Sequence, residues 1–262
     1  YKPFYDFLRE KCGISDVFQA FYEEDVDRDT DVLFSVGGDG TFLDSAMRVK
    51  NHGVPVLGIN SGRLGFLANI AQEEIPQAIH WLCAGDFDVE QRALVKFEMK
   101  DNPFAEFNYA LNEISVLKTE RSSLLKVHAY IEEEYLTTYW ADGVIVATPT
   151  GSTAYSLSCG GPIVALGCDN LIITPVSPHN LNMRPLILPG NVQIRLKVES
   201  RSGDFMLSAD SRMQRMSDNH ELFISSGDFK MNVVKMPDHS YYDTLRNKLN
   251  WGEDKRNKKD KS

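Results

Sequence analysis

Apolar runs and amphipathic segments alternate in the first third of the chain. Residues 32–36 and 54–59 carry no charged side chain and are predicted to be buried strands, while residues 42–50 and 73–83 are predicted helices. Strands without polar alternation, each followed by a helix, are typical of a parallel sheet covered on both faces. The pattern therefore predicts an α/β domain with a parallel sheet at the N-terminal end.

Beyond residue 85 the pattern changes to many short apolar runs separated by polar or turn-forming stretches. This spacing predicts a mostly antiparallel all-β domain. The predicted strands are residues 89–99, 107–117, 124–131, 135–140, 143–148, 171–174, 192–198, 205–209 and 222–225. A helical pattern returns at residues 241–249.

These changes of pattern divide the chain into three segments. We expect an α/β domain at residues 1–85 and a β-rich ligand-binding domain at residues 86–235. Residues 236–262 are expected to form a helix that packs back on the first domain, followed by a basic tail. Residues 2–12 are predicted to be a helix whose preceding strand lies before Tyr1.

A glycine-rich loop follows the first predicted strand and reads Gly37-Gly38-Asp39-Gly40-Thr41. Glycines between a strand and a helix allow the bare backbone to approach a ligand closely, and the start of a helix favours phosphate. A carboxylate in such a loop would repel phosphate, so Asp39 needs another role. It could accept a proton from an attacking hydroxyl or hold a metal ion. The structural alternative is a tight turn in which Asp39 or Thr41 caps the helix.

A second distinctive segment spans residues 142–162, where a buried strand leads into Pro149-Thr150-Gly151 and then a run rich in hydroxyl residues. Hydroxyls and free amides at a helix start can bind sugars, carboxamides or phosphates. The alternative is an N-cap at Ser152 or Thr153 with a glycine stop after the helix. Both interpretations are compatible, although the hydroxyl residues outnumber those that capping requires.

Asn112-Glu113 interrupts an otherwise apolar predicted strand. Strand alternation turns one of the two side chains inward, and a buried carboxylate without partners is costly. A nucleotide ribose or base edge would supply partners, and so would a neighbouring arginine or a backbone turn.

Composition limits the classes of molecule that the protein is expected to bind. A formal net charge of -9 argues against general binding to nucleic acid or an anionic membrane, although residues 255–261 are basic. The four scattered cysteines lack metal-ligand spacing, so a reducing, cytoplasmic location is expected. The sequence contains no P-loop, no Gly-x-Gly-x-x-Gly after a strand and no Gly-x-Ser-x-Gly elbow.

Taken together, the motifs resemble those of the NAD kinase family, and they occur in the family's order over most of the chain. They are the loop at residues 37–41, residues 58–67, Asn112-Glu113, residues 142–162, residues 178–181 and Arg184-Pro185. The glycine-Asp loop alone is weak evidence for this family, because lipid kinases and phosphofructokinases carry similar loops. The run at residues 148–162 is much more specific.

The resemblance implies transfer of phosphate from ATP, or another donor such as polyphosphate, to the 2′-hydroxyl of the adenosine ribose of NAD. It implies Mg²⁺ with ATP and a homodimer or homotetramer. Asp39 would accept the proton, with Gly40 and Phe66 beside the dinucleotide; Asn112 and Glu113 would contact its adenosine end and Asp142 the nicotinamide riboside end. The remaining implied NAD contacts are Thr153, Ala154, Tyr155, Ser156, Leu157 and Ser158. No metal ligand is assigned.

Two other functions fit part of the pattern. A lipid or sphingoid kinase would share the glycine-Asp loop, but the hydroxyl-rich run argues against an apolar acceptor pocket. A non-catalytic dinucleotide-binding regulator would have little use for an acid at the point of transfer.

Overall fold

The computed structural model describes residues 26–62, 65–104, 107–119 and 124–251. The predicted helix at residues 2–12 and the basic tail lie outside the described residues. The described chain forms two compact units: one holds the residues up to Glu90 and those from Asn232 onward, and the other holds Gln91–Met231. The C-terminal helix thus belongs to the same unit as the glycine-rich loop.

Fourteen strands, four α-helices and two 3₁₀ turns are present among the described residues. They are β1 (Leu33–Gly37), α1 (Asp39–Val49), β2 (Val56–Asn60), a 3₁₀ turn (Gln72–Glu74), α2 (Ile75–Ala84), β3 (Asp88–Glu98), β4 (Tyr109–Ala110), β5 (Glu113–Leu117), β6 (Leu125–Ile131), β7 (Glu134–Ala141), β8 (Gly143–Ala147), a second 3₁₀ turn (Gly151–Thr153), α3 (Tyr155–Ser158), β9 (Asn170–Val176), β10 (Leu186–Pro189), β11 (Ile194–Ser200), β12 (Asp204–Ala209), β13 (Arg212–Ser217), β14 (Glu221–Lys235) and α4 (Tyr241–Leu249).

The first unit contains the predicted parallel sheet. β1 pairs with β2 in parallel, and the last residues of β14 pair with β2 in the same direction. α1 buries Phe42, Ala46 and Val49, the i, i+4 and i+7 positions of one helical face. The core of this unit is apolar and consists of Leu57, Ile59, Ile70, Ala78, Val234 and Met236.

The second unit contains two antiparallel sheets. In one, β11 lies between β6 and β14, and β7 pairs with β6. In the other the strand order is β10-β9-β8-β5-β12-β13. Alternate residues of both sheets meet in one core, to which β8 contributes Val144 and Val146. Its intervening residues Ile145 and Ala147 pack on the other face with Val164. Burial on both faces explains why this strand is apolar throughout.

The fold class predicted from the sequence, parallel α/β followed by antiparallel β, is confirmed. Two strands were missed, β10 and β13, because each lies at an edge of its sheet and exposes side chains such as Ile187 and Met213. The predicted strand at residues 107–117 is wrong as one strand, since the chain bends at Leu111 and Asn112 between β4 and β5. Among the described residues no helix is long and apolar enough to cross a membrane.

Candidate functional site

In the first unit, the Asp39 carboxylate holds the loop that follows β2. β1 and β2 are parallel, so their carboxyl ends lie at the same edge of the sheet. Asp39 is the first residue of α1 at that edge. Its Oδ2 accepts the N–H of Phe66 at 2.9 Å, and its Oδ1 accepts those of Leu67 and Ala68 at 3.0 Å each. Asp39 and the adjoining Gly40 are therefore brought together with Phe66.

This arrangement depends on Gly65, because a Cβ atom there would overlap the Asp39 carboxylate and lie 2.7 Å from Oδ2. Gly38 is the N-cap of α1, and no side chain caps this helix. The alternative in which Asp39 or Thr41 caps the helix is therefore wrong. Asp39 is half-buried and its oxygens are oriented by three backbone N–H groups. Such fixation is what a proton acceptor or a ligand contact requires.

In the second unit, three segments that are far apart in sequence meet at one edge of a sheet. β5 is antiparallel to both β8 and β12, so its first residue, Glu113, lies next to the ends of those two strands. Glu113 pairs with Ala147, and its carbonyl accepts the N–H of Asp210 at 3.0 Å. Asn112-Glu113, the Thr148–Thr153 segment and the β12–β13 turn thus form one cluster.

The turn after β8 is fixed to the bend at Leu111 and Asn112 by short hydrogen bonds. Thr148 N donates to Asn112 O at 2.9 Å, and Thr148 Oγ1 donates to Leu111 O at 2.6 Å. A Cβ atom on Gly151 would overlap Asn112 O and lie 2.8 Å from Asn112 Cα. The glycine in this motif is required for the close approach of two backbone segments.

Most hydroxyls of the motif have partners inside the protein. Ser152 Oγ donates to Pro149 O at 2.7 Å and accepts the N–H of Val164, and Ser156 Oγ lies 2.8 Å from Thr174 Oγ1. No side chain caps either short helix, so the predicted N-cap at Ser152 or Thr153 is wrong. The predicted glycine stop is confirmed, since Gly160 has a φ of 82° and follows α3.

Within this motif the side chains that reach the surface belong to Tyr155 and Ser158, which are exposed, whereas Thr153, Ala154 and Leu157 are half-buried. The predicted NAD contacts on this segment consequently differ in kind. Tyr155 and Ser158 present exposed side chains, whereas Ser156 is buried against Thr174.

Glu113 and Asp210 are two half-buried carboxyl groups of this cluster. Burial, reinforced by the negative charge of Asp210, raises the pKa of Glu113 to about 8. Its Oε2 is buried and makes no hydrogen bond among the described residues. Burial also raises the pKa of Asp210, but three backbone N–H donors and Arg212 oppose that effect. Among the described residues one backbone N–H, that of Tyr155, lowers the pKa of Glu113, so Glu113 is the carboxyl group of the pair that keeps a proton more readily.

We expect Glu113→Gln to reduce the loss of stability that the protein shows as pH rises. The folded pKa of Glu113 lies above its ordinary value of 4.5, so the folded state binds the extra proton between these values. Its contribution to stability is complete below about pH 4.5 and is lost as pH rises towards 8, with a slope of up to about 1.4 kcal/mol per pH unit. Urea unfolding at several pH values without NAD measures the slope. Glu134→Gln, at the exposed start of β7, is the control and should leave the slope unchanged.

Asp142 does not join the cluster around Glu113. It precedes β8 at the end opposite Thr148, roughly 20 Å away along the strand, and its Oδ1 lies 2.8 Å from Lys118 Nζ. The charge of Asp142 reaches Tyr155, because it contributes to the raised pKa of the Tyr155 hydroxyl, of which burial is the main cause. His179 and Arg184 also lie apart from the cluster: His179 N donates to Trp140 O, and Arg184 binds neighbouring carbonyls.

Comparison with known families covers both units. Residues 11–87 match the family model for the ATP-NAD kinase N-terminal domain, and residues 111–236 match that for the ATP-NAD kinase C-terminal domain. The chain belongs to the NAD kinase family. The NAD kinase of Cytophaga hutchinsonii is 47% identical to this chain, and the match covers 87% of this chain and 78% of the length of that relative. That of Flavobacterium psychrophilum is 44% identical over 95% of this chain and 86% of its own.

Solved NAD kinase structures have the same fold. Yeast NADH kinase in complex with NADH gives a TM-score of 0.77 at 27% identity and covers 86% of this chain and 68% of its own. An NAD kinase from Archaeoglobus fulgidus in complex with ATP gives 0.73 at 26% identity, covering 87% of both chains. The family resemblance and the class of enzyme inferred from the motifs are thus confirmed, and the lipid kinase and the non-catalytic regulator are not favoured.

The magnesium ion that the NAD kinase resemblance implies has no assigned ligand. Among the described residues no three His, Cys, Asp or Glu side chains cluster in a way that could hold a metal ion. Mg²⁺ that enters with nucleotide phosphates keeps several waters and needs only one or two carboxylates. A dedicated protein cage is therefore not required, and both oxygens of Asp39 already accept backbone N–H groups.

The sequence alone assigns no role in the site to Asp210. Its role depends on the β12–β13 hairpin, and β13 carries no apolar signal because it is an exposed edge strand. The available signal was the pair Asp210-Ser211 after the apolar run of β12, a dipeptide suited to a tight turn.

Proposed function

We propose that this protein transfers the terminal phosphoryl group of ATP to the 2′-hydroxyl of the adenosine ribose of NAD and so forms NADP. The observation that carries the proposal is the fixed carboxylate of Asp39 at the start of α1, within a chain that has both family domains. NAD as acceptor is supported by relatives named NAD kinase, and ATP as donor by the ATP complex of the Archaeoglobus fulgidus structure.

Asp39 is the proposed proton acceptor. A ribose hydroxyl is a poor nucleophile, and a carboxylate that removes its proton in the transition state accelerates attack by about 10²- to 10⁴-fold. The N–H groups of Phe66, Leu67 and Ala68 hold this carboxylate in one orientation. The rest of the chemistry is alignment of hydroxyl and phosphorus and neutralisation of charge, since phosphoryl transfer needs little covalent participation by the protein.

The second unit is proposed to hold NAD. Asn112 and Glu113 contact the adenosine ribose and base, the segment Thr153–Ser158 lines the dinucleotide, and Asp142 contacts the nicotinamide riboside. A Glu113 carboxyl that keeps its proton at pH 7 supports this assignment, because it can donate a hydrogen bond and does not repel the pyrophosphate. Mg²⁺ bound to the donor phosphates would neutralise their charge.

The assembly and the location of the protein are also proposals. A homodimer or homotetramer is supported by the exposed apolar side chains Trp140, Leu181 and Ile187. A cytoplasmic location is supported by the free thiols of Cys83, Cys159 and Cys168.

We expect purified protein with Mg²⁺, ATP and NAD to form NADP, detected with an NADP-specific dehydrogenase. Parallel reactions replace NAD by NADH or diacylglycerol, and ATP by polyphosphate. Diacylglycerol should not be phosphorylated, because the cluster around Glu113 is polar. NAD binding without NADP formation would favour a non-catalytic regulator, and phosphorylated diacylglycerol would favour a lipid kinase.

A further inference from the structure

Asp210 lies at the tip of the β12–β13 hairpin and binds three successive backbone N–H groups. Its Oδ2 accepts the N–H of Leu111 at 2.8 Å, and its Oδ1 accepts those of Asn112 at 2.8 Å and Glu113 at 3.3 Å. Ala209 pairs with Arg212, so Asp210 and Ser211 form a two-residue turn, in which Asp210 has a φ of 51°. Asp tolerates this left-handed backbone better than most residues.

These three N–H groups belong to the bend that separates β4 from β5. A continuous strand would pair its N–H groups alternately with its two neighbours, but three consecutive N–H groups that point to one side need a common acceptor. The Asp210 carboxylate is that acceptor. Hydrogen bonds from N–H groups to an ionised carboxylate are about twice as strong as those between neutral groups.

Arg212, on the other side of the hairpin tip, binds the segment of chain that leads into this bend. Its guanidinium donates to the carbonyl oxygens of Phe107 and Tyr109. It also lies 5.1 Å from the ring centroid of Phe104 and 5.4 Å from that of Phe107, within the range of cation–π attraction. One hairpin therefore fixes the backbone immediately before and within the Asn112-Glu113 bend.

We propose that Asp210 is a positioning residue for NAD recognition, which holds Asn112 and Glu113 in the orientation that contacts the adenosine end of the dinucleotide. This inference rests on the proposed function of Asn112 and Glu113. Asp210 acts through the backbone of these two residues and not by touching the reacting atoms. Its charge has a second effect, since it contributes to the raised pKa of Glu113.

Because of its position, Asp210 should influence the binding of NAD much more than the binding of ATP. The residues that it fixes belong to the second unit, whereas the glycine-rich loop and Asp39 belong to the first. Loss of the carboxylate should therefore weaken the NAD site and leave the KM for ATP and the chemical step much less affected. A general loss of folding would reduce all parameters together.

The test compares Asp210→Ala and Asp210→Asn with Asp218→Ala. Asp218 is the matched control because its Oδ2 accepts the backbone N–H of Ser200 at 2.9 Å in a turn of the same unit. We expect Asp210→Ala to raise the KM and Kd for NAD by about tenfold or more, as the loss of one or two strong hydrogen bonds would. The KM for ATP should change by less than about twofold. Asp218→Ala should lower the thermal midpoint and leave both KM values unchanged.

Asp210→Asn should fall between wild type and Asp210→Ala. The amide oxygen can still accept N–H groups, whereas its NH₂ would face a donor. This variant decides the outcome if Asp210→Ala does not fold. A variant that loses stability but keeps its NAD affinity would overturn the proposal, and so would equal increases in the KM values for NAD and ATP. Calorimetric titration with NAD needs no turnover, so positioning is measured even if the wild type makes no NADP and the proposed function fails.

Discussion

Asp39→Asn is expected to reduce kcat for NADP formation by about 10²- to 10⁴-fold while the Kd for NAD stays close to that of wild type. The reduction follows from loss of the group that accepts the ribose proton. The asparagine carbonyl can replace Oδ1 and keep the bonds from Leu67 and Ala68, but the NH₂ group would face the N–H of Phe66. We therefore also expect a loss of about 1–3 kcal/mol in the free energy of unfolding. Steady-state kinetics and calorimetry with NAD measure the two effects.

Gly65→Ala tests whether the orientation of the Asp39 carboxylate matters for catalysis, apart from the presence of the acid itself. This variant keeps every functional group, but its Cβ atom would overlap the Asp39 carboxylate. If the orientation of the carboxylate matters, kcat should fall even though the acid is present. Gly62→Ala is the control in the same loop, since no atom lies within 4 Å of the added Cβ. A near-normal kcat for Asp39→Asn would mean that Asp39 only anchors the loop.

Gly151→Ala is expected to damage both the stability of the second unit and its affinity for NAD. The added Cβ would overlap Asn112 O, a backbone atom that cannot rotate away. Relief of the overlap requires the turn after β8 and the Asn112-Glu113 bend to separate, which weakens the bonds from Thr148. We expect a destabilisation of about 3 kcal/mol, typical of overpacking, and a KM for NAD at least about tenfold higher.

Gly203→Ala provides the comparison for this second experiment. Gly203 lies in the same unit with a φ of 74°, and no atom lies within 4 Å of an added Cβ. The substitution therefore introduces backbone strain of about 1 kcal/mol without a clash. It should lower the thermal midpoint slightly and leave the KM for NAD unchanged. If Gly151→Ala behaved in the same way, the close approach of the two segments would have no part in NAD binding.

The course of the backbone was largely predictable because burial leaves a periodic signal. β8 is covered on both faces and reads as an apolar run, and α1 shows its buried face at helical spacing. The start of α1 was less predictable. The apolar pattern begins at Phe42, but the helix already includes Asp39 and Gly40, whose N-terminal position leaves no hydrophobic trace.

Exposed strands and polar clusters could not be predicted in the same way. β10 and β13 are edge strands, so neither has the burial that produces a pattern. The hydroxyl-rich run at residues 150–158 suggested a surface of ligand-binding hydroxyls. The structure turns Ser152 and Ser156 inward, where each satisfies a partner in its own unit. Periodicity does not report which neighbour a polar side chain meets.

The sequence by itself determined the family and the two kinds of sheet, because these depend on local motifs in order along the chain, and it singled out Asp39 as the candidate acid. Only the tertiary structure decided which backbone groups the carboxylates of Asp39 and Asp210 bind. In the sequence Asp39 is a carboxylate among glycines. In the folded protein it accepts the backbone N–H groups of the Phe66–Ala68 loop. Asp210 had no role assigned from the sequence, and the antiparallel pairing of β5 with β12 brings it to a bend about a hundred residues earlier in the chain. Such contacts between distant segments arise from strand register, which no single segment of sequence encodes.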